Sequence, residues 1–321
     1  MILKFAQKEL AVKEDPPIDP RMANLNSGKL NVLPIYIADA FTRKPFSGNG
    51  AAVCLLPYNY DITNETRQKI ASEMNLSETA FVKIIKEKDT FQKGKRFALN
   101  WFTPLCEVPL CGHATLATAA VLFTECNNES EVLEFETVSG ILTAKKLQNN
   151  EIEINLPAYQ INPVIGKYEE VIKVLVKDLP VQNTVLSESK KLLIHLSDSV
   201  TRKDLEAIKT NDDELMRAES TDVKGVIVTL KGSGKDCVDE EGKSYDFISR
   251  YFAPWFGISE DPVTGSAHSV LAPYWSKVLN KKNFYARQCS RRGGELHIQL
   301  VNDRILLSGH AAIVVKGQLH M

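Results

Sequence analysis

The chain carries the same short phrase twice, and this repeat constrains its fold more than any other feature. Residues 107–116 read EVPLCGHATL and residues 260–269 read EDPVTGSAHS, with Glu, Pro, Gly and Ala at matching places. Each copy follows an aromatic segment of the pattern Phe-x-Pro, at residues 102–104 and at residues 252–254. A phrase duplicated together with its context predicts two structurally similar halves.

Each phrase leads into a run that is typical of a buried helix. Residues 113–123 are small and apolar nearly all round, and residues 266–279 are similar, with Pro273 expected to kink the helix. A helix that is apolar on every face has to be enclosed by other elements. We therefore expect two half-barrels of strands, each wrapped around one central helix.

Short strands with few helices dominate the remainder, which predicts the α+β class. Strands are predicted at residues 33–41, 51–56, 97–102, 151–157, 192–196, 225–230, 295–300 and 311–315, a hairpin at 133–147, and helices at 64–75, 168–176 and 202–210.

The chain is expected to divide into an N-terminal extension and two epimerase-like halves. Residues 1–30 are predicted to be a flexible extension, because DPPIDP at 15–20 breaks helices and strands; a docked strand is the alternative. The first half is placed at residues 31–158 and the second at 159–321, and the last strand could return to the first half.

Charge and apolar patterning exclude several partner classes. The net charge of −1 argues against nucleic acid as a partner, and no apolar run reaches the roughly 18 residues of a membrane span. The N-terminus shows no secretory signal, and the six cysteines show no paired spacing. We expect a cytoplasmic protein with free thiols.

The two repeated glycines fall where a ligand could be seated. Gly112 and Gly265 stand at the expected helix starts, where unpaired N–H groups and about half a positive charge favour a carboxylate. Two such ends facing each other would bind a small anion and stabilise negative charge that develops beside it. The alternative is that both glycines only permit tight helix–strand packing.

A proton transfer also needs a group that carries the proton. Glu78, in the run SETAF, stands at the start of an apolar strand-like segment, and His113 and Asp261 lie inside the repeated phrases. Each has a plainer interpretation. Glu78 could end a helix in solvent, Asp261 could cap its helix, and His113 could be a satisfied core histidine.

Five ordered motifs, PIYIADAFT, NLSETAF, PLCGHATLA, RYFAPW and EDPVTGSA, resemble the phenazine-biosynthesis F (PhzF-like) family. The resemblance covers about residues 33–319. It implies a diaminopimelate-epimerase-like fold of two pseudo-symmetric halves, each a barrel-like sheet around a central helix, with the active site between them. It further implies an isomerase that uses no cofactor and no metal, takes a small carboxylate-bearing substrate and often forms a homodimer.

The resemblance also assigns roles to individual residues. Glu78 matches the family's catalytic glutamate, which takes a proton from carbon and helps return one elsewhere. His113 and Asp261 match residues that position the substrate's polar groups. The substrate carboxylate would be bound by backbone amides near Gly112, His113, Gly265 and Ser266. The turn SGNG at 47–50 departs from the family pattern, with Gly where Pro is usual.

Three further interpretations complete the sequence-based picture. Cys111 has no thiol counterpart in the second phrase, which disfavours a two-thiol racemase and makes Cys111 a small buried residue near the site. The cluster of Arg287, Arg291 and Arg292 is interpreted as a solvated turn rather than a contact to a substrate anion. The alternative to an isomerase is a non-enzymatic protein that keeps the fold and binds other proteins.

Overall fold

The computed structural model of the chain describes residues 32–218 and 221–321. The predicted extension at 1–30 lies outside the described residues. Eighteen strands form one continuous network. They are β1 (Val32–Ala40), β2 (Asn49–Leu56), β3 (Glu78–Ile84), β4 (Arg96–Phe102), β5 (Glu107–Val108), β6 (Val132–Thr137), β7 (Gly140–Lys146), β8 (Ile152–Pro157), β9 (Ile161–Pro163), β10 (Val181–Ser187), β11 (Lys191–Leu196), β12 (Gly225–Lys231), β13 (Phe247–Ala253), β14 (Ile258–Asp261), β15 (Asn283–Gln288), β16 (Gly294–Val301), β17 (Arg304–Gly309) and β18 (Ala311–His320).

In the described part of the chain, six α-helices connect these strands. They are α1 (Asn64–Met74), α2 (Gly112–Ala120), α3 (Glu169–Val176), α4 (Arg202–Ala207), α5 (Asp212–Ala218) and α6 (Gly265–Leu279). A π-helical turn, Val121–Glu125, extends α2. The predicted mixture of α and β elements is confirmed.

The two halves have the same strand order. In the first half the order is β18-β1-β2-β3-β4-β6-β7-β8, and in the second it is β9-β10-β11-β12-β13-β15-β16-β17. Within each half, the matching steps β2 to β3 and β11 to β12 are parallel, as are β4 to β6 and β13 to β15. The repeat in the sequence is therefore a repeat in the fold.

The halves are joined by paired strands and by one exchange. β8 pairs with β17 along its length, so the two sheets are continuous. β9 follows β8 in sequence but pairs with β10 in the second half, while the last strand, β18, pairs with β1 in the first. Each half therefore contributes one strand to the other.

A central helix lies inside each sheet, as predicted. Every residue of α2 is buried, and small Gly, Ala and Thr side chains let the strands approach it closely. Thr115 and Thr118 donate their hydroxyls to carbonyls one turn earlier, so these buried groups are satisfied. The helix α6 runs through Pro273 without ending.

The core follows from this arrangement. One continuous apolar cluster fills both sheets around α2 and α6 and includes Trp101 and Trp275. A second cluster lies between the outer face of the second half and helices α3 to α5, and a third lies under α1. Within the described residues, no helix is long and apolar enough to cross a membrane.

Candidate active site

The N-termini of α2 and α6 meet at the centre of the molecule. A Cβ atom built on Gly112 would lie 2.9 Å from the Cα of Gly265, and one on Gly265 would lie 2.8 Å from the Cα of Gly112. Contacts this short leave no room for a side chain at either position unless the backbone of the facing helix shifts. The structure thus gives both glycines a packing reason, chiefly between the two helices, with Leu156 of β8 also 3.1 and 3.3 Å from the two Cβ positions.

Neither helix start has a regular side-chain cap, although the amides of His113 and Ala114 at the start of α2 hydrogen-bond to the Cys111 sulfur. The N-cap residues are Cys111 and Thr264, and within the described chain neither side chain makes a regular capping hydrogen bond. Amides without a regular cap and the helix dipole together create a positive potential at each start. Two such starts in contact form a region that favours a carboxylate beside them.

Glu78 lies next to this region, at the first residue of β3. The parallel pairing of β3 with β2 places it opposite Ala51 and close to α2. The residue is 8% exposed, so it is buried rather than solvated. Its Oε2 lies 3.1 Å from Nε2 of His113, yet neither atom has a hydrogen-bond partner among the described residues. Two buried polar atoms that are left unpaired point to a ligand.

Burial sets the protonation of both side chains. It raises the pKa of Glu78 well above its ordinary value, and the charge of Asp261 raises it further. Burial also lowers the pKa of His113 to about 3, so its imidazole is neutral at physiological pH. A carboxyl group with a raised pKa is suited to taking up a proton and releasing it again.

Cys111 completes the group on the first half. Its Sγ lies 3.4 Å from Nδ1 of His113, and its thiol hydrogen-bonds to Glu78. Burial and the Glu78 charge raise the pKa of Cys111, so the thiol keeps its proton. Ligand atoms of Glu78, Cys111 and His113 lie within 4.8 Å of one another, a spacing that would suit a soft cation such as Zn²⁺.

Asp261 faces this group from the second half. Its Oδ1 accepts a hydrogen bond of 2.7 Å from Nδ2 of Asn49, and its Oδ2 accepts one of 2.5 Å from Oγ1 of Thr264. Burial raises the pKa of Asp261 to about 6, although hydrogen bonds from Thr264, Asn49 and Ser77 oppose the rise. Asp261 is therefore a fixed, partly protonated group rather than a helix cap.

Two residues that hydrogen-bond to the backbone of the second phrase were not predicted from the sequence. Gln288, fully buried on β15, accepts from the amide of Thr264 at 2.9 Å and donates to the carbonyl of Asp261 at 2.6 Å. Asn49 donates to the carbonyl of Val263 at 2.9 Å, and its own Oδ1 has no partner among the described residues. The asparagine within the Ser-Gly-Asn-Gly turn was the available signal for Asn49.

Ser266 lies where the sequence predicted it, and Arg292 of the arginine cluster makes contacts that the sequence did not predict. Ser266 is the second residue of α6 and is half-buried, beside Gly265 as expected. Arg292 lies in an exposed bend, where its side chain also has protein partners. It forms an ion pair of 2.7 Å with the buried Asp39 and donates to the carbonyls of Ser47 and Gly48, because these groups must be satisfied where the turn packs.

A cleft of about 330 Å³ lies beside the site. Its wall includes the site residue Asn49. It also includes Ser77, which precedes Glu78 in the sequence, and Pro262, which follows Asp261. A depression of about 380 Å³ on the outer face of β15 to β17 includes none of the site residues. Of these two depressions, the smaller one is therefore the one that borders the site, through Asn49.

Comparison with known proteins agrees with the geometry. The profile of the family described as phenazine biosynthesis-like protein matches residues 38–317. The chain is 50% identical over 291 residues to a phenazine biosynthesis-like domain-containing protein of Bos taurus, covering 89% of this chain and 99% of that protein. It is 42% identical over 288 residues to an uncharacterized isomerase of Halalkalibacterium halodurans, covering 89% and 98%.

Solved structures extend the comparison to the fold. A PhzF-family phenazine biosynthesis protein from Enterococcus faecalis superposes with a TM-score of 0.75 at 36% identity, covering 90% of this chain and 100% of that one. A hydroxyproline epimerase from Agrobacterium vitis superposes with a TM-score of 0.57 at 11% identity, covering 91% and 94%, which shows a shared fold. The predicted epimerase-like architecture is confirmed.

Proposed function

The chain belongs to the phenazine biosynthesis-like family, and from that premise we propose that it is a cofactor-independent isomerase. It would move a proton on a small substrate that bears a carboxylate. A relative named as an isomerase, at 42% identity over most of both chains, supports an isomerase-type activity. The site residues support the finer proposal.

One observation carries the proposal. The buried Glu78 carboxylate leaves its Oε2 unpartnered beside two helix starts that have no regular side-chain cap. A buried carboxyl oxygen that lacks a hydrogen-bond partner is costly for the folded protein, even though the Cys111 thiol hydrogen-bonds to the same carboxyl group. The cost is understandable if a substrate supplies the missing contact and the acid exchanges a proton with it.

In the proposed reaction the substrate carboxylate lies beside Gly112 and Gly265 and accepts hydrogen bonds from the amides that follow them. Glu78 then removes a proton from a neighbouring carbon. The positive potential of the two helix starts stabilises the negative charge that develops, and one such donor can contribute roughly 3–4 kcal/mol. Glu78 finally returns the proton to a different carbon, which completes the isomerisation.

The neighbouring side chains would position Glu78 and the substrate for this reaction. His113 is neutral and contacts Glu78, so it can exchange hydrogen bonds with the substrate without competing for the proton. Asp261, fixed by Asn49 and Thr264, presents a second carboxyl group to the substrate's polar atoms. The Cys111 thiol keeps Glu78 oriented through its hydrogen bond.

Solvent exchange tests the proposal with a panel of acids in place of the natural substrate. Small carboxylic acids with a C–H bond adjacent to a carboxylate or a double bond are incubated with the protein in D₂O. Proton NMR should show deuterium incorporation into at least one acid by the wild type and none by Glu78→Gln. Glu107→Gln is the matched control, because Glu107 lies in the first phrase and is bound by Asn100 instead. Equal incorporation by the wild type and Glu78→Gln would exclude Glu78 as proton carrier.

A further inference from the structure

The two halves can be compared residue by residue through their strand registers. In the first half, Thr79 on β3 pairs with Phe102 on β4. In the second half, Val226 on β12 pairs with Phe252 on β13. Phe102 and Phe252 both begin the Phe-x-Pro segment that precedes the repeated phrase, so these two strand pairs are equivalent.

This equivalence identifies the residue of the second half that corresponds to Glu78. The residue before Thr79 is Glu78, and the residue before Val226 is Gly225. The second half therefore has no side chain at the position from which the first half projects its carboxylate. Gly225 is the first residue of β12, as Glu78 is the first residue of β3.

The space beside Gly225 is filled by Tyr251. A Cβ atom built on Gly225 would lie 2.2 Å from the hydroxyl oxygen of Tyr251. Tyr251 thus brings a phenol to the place where the first half presents a carboxylate. Its own counterpart in the first half is Trp101, which precedes Phe102 and has no hydroxyl group.

The surroundings of Tyr251 connect it with the site. It lies on β13 directly opposite Asp261 on β14, and it is 5% exposed. Burial raises the pKa of Tyr251, and the charges of Asp261 and Glu78 raise it further, which places the phenol near both carboxyl groups. A phenol in this setting keeps its proton and acts as a hydrogen-bond donor, never as a base.

We propose that Tyr251 is a further catalytic residue, which donates a hydrogen bond to the substrate from the side opposite Glu78. This inference rests on the proposed isomerase function. As Glu78 takes the proton from carbon, the electron pair left behind spreads onto the substrate's acceptor atoms, and the Tyr251 hydroxyl stabilises that charge. The proton returns from Glu78 to carbon, and Tyr251 keeps its own proton throughout.

The position of the Tyr251 hydroxyl also indicates which class of substrate the site would bind. The carboxylate is bound at the helix starts, so Tyr251 needs a second acceptor on the substrate. A carbonyl or hydroxyl oxygen conjugated with the reacting carbon would meet this need. Acids that carry such an oxygen should therefore exchange faster than acids that carry the carboxylate alone.

Tyr251→Phe removes one oxygen atom and tests the proposal in the exchange assay. With an acid that the wild type labels, the rate of deuterium incorporation should fall about 100-fold, which is the usual effect of losing one donor to developing charge. Tyr274→Phe is the matched control. It removes a buried hydroxyl of the same half that is bound to His195 at 2.8 Å and lies outside the site, so its exchange rate should stay within about twofold of wild type. An unchanged rate in Tyr251→Phe would overturn the proposal.

A second measurement separates this proposal from the proposed function. Tyrosine labelled with ¹³C at Cζ gives one NMR signal for Tyr251, assigned by its loss in Tyr251→Phe. Titration with salicylate, which carries a carboxylate and a neighbouring hydroxyl, should shift this signal in the wild type more than titration with benzoate does.

Each pattern of results has one meaning. No exchange by the wild type with any acid would contradict the proposed function, whatever Tyr251 does. Exchange by the wild type together with equal exchange by Tyr251→Phe would contradict the role of Tyr251 alone. A Tyr251 signal that responds to neither salicylate nor benzoate would also exclude contact between this hydroxyl and the ligand.

Discussion

Replacing Asp261 by asparagine should remove the part of the decrease in stability between about pH 4 and pH 7 that this carboxyl group causes. Burial raises the pKa of Asp261 from 3.8 to about 6 in the folded protein. The folded state therefore binds this proton more tightly than the unfolded state does. It follows that the free energy of unfolding falls as the pH rises from about 4 to about 6.

The size of the effect follows from the same two values. The difference between about 6 and 3.8, at about 1.4 kcal/mol for each pH unit, corresponds to about 3 kcal/mol. The contribution of Asp261 should thus make the free energy of unfolding of the wild type about 3 kcal/mol lower at pH 7.5 than at pH 4. Asparagine keeps an oxygen acceptor for Asn49 and carries no charge, so Asp261→Asn should lack this decrease.

Urea denaturation at a series of pH values between 4 and 8 measures the effect. Asp198→Asn, which removes an exposed aspartate after β11, is the matched control and should retain the wild-type profile. Parallel profiles for the wild type and Asp261→Asn would refute the reasoning, because they would show that Asp261 is not held in a medium that disfavours its charge. Loss of the Asp261 charge should also lower the pKa of Glu78 and move the pH–rate profile to lower pH.

Three other predictions follow from the site. Glu78→Gln should raise the melting temperature at pH 8 more than at pH 5, because burial raises the pKa of Glu78 and opposes its ionised form; an equal change at both pH values would contradict this. Gly112→Ala should cost about 1–3 kcal/mol in urea denaturation, because the added Cβ would meet the backbone of Gly265, whereas a Cβ on the control residue Gly317 meets nothing within 4 Å. Micromolar Zn²⁺ should inhibit deuterium exchange reversibly through the Glu78, Cys111 and His113 cluster, and Cys111→Ser should weaken that inhibition at least about tenfold; equal inhibition of both proteins would place the metal elsewhere.

The architecture was largely predictable from the sequence because the repeat and the apolar helices are local signals. The predicted helix at 113–123 corresponds to α2 with its π-helical turn, and the one at 266–279 corresponds to α6. Other elements were missed for a physical reason. The strands β10 and β15 contain several polar residues at exposed or site-facing positions. These residues interrupt the alternation of apolar and polar side chains that identifies a strand, so neither strand was predicted.

The site was only partly predictable, because its contacts join distant parts of the chain. Glu78 and Asp261 could be named as candidates, but their burial and mutual influence depend on how the halves meet. The contact between Gly112 and Gly265 and the bonds made by Gln288 leave no periodic signal in the sequence. The ion pair of Arg292 was not predicted, because its partner Asp39 lies at the other end of the chain.

A crystal structure with a small carboxylate tests the central claim most directly, and benzoate is a suitable ligand. The account predicts that its carboxylate lies beside Gly112 and Gly265, within hydrogen-bonding distance of the amides of His113 and Ser266, with the Glu78 carboxyl group facing the ring. Benzoate bound only at the outer face of β15 to β17, or bound at the helix starts with Glu78 turned away from it, would contradict the account.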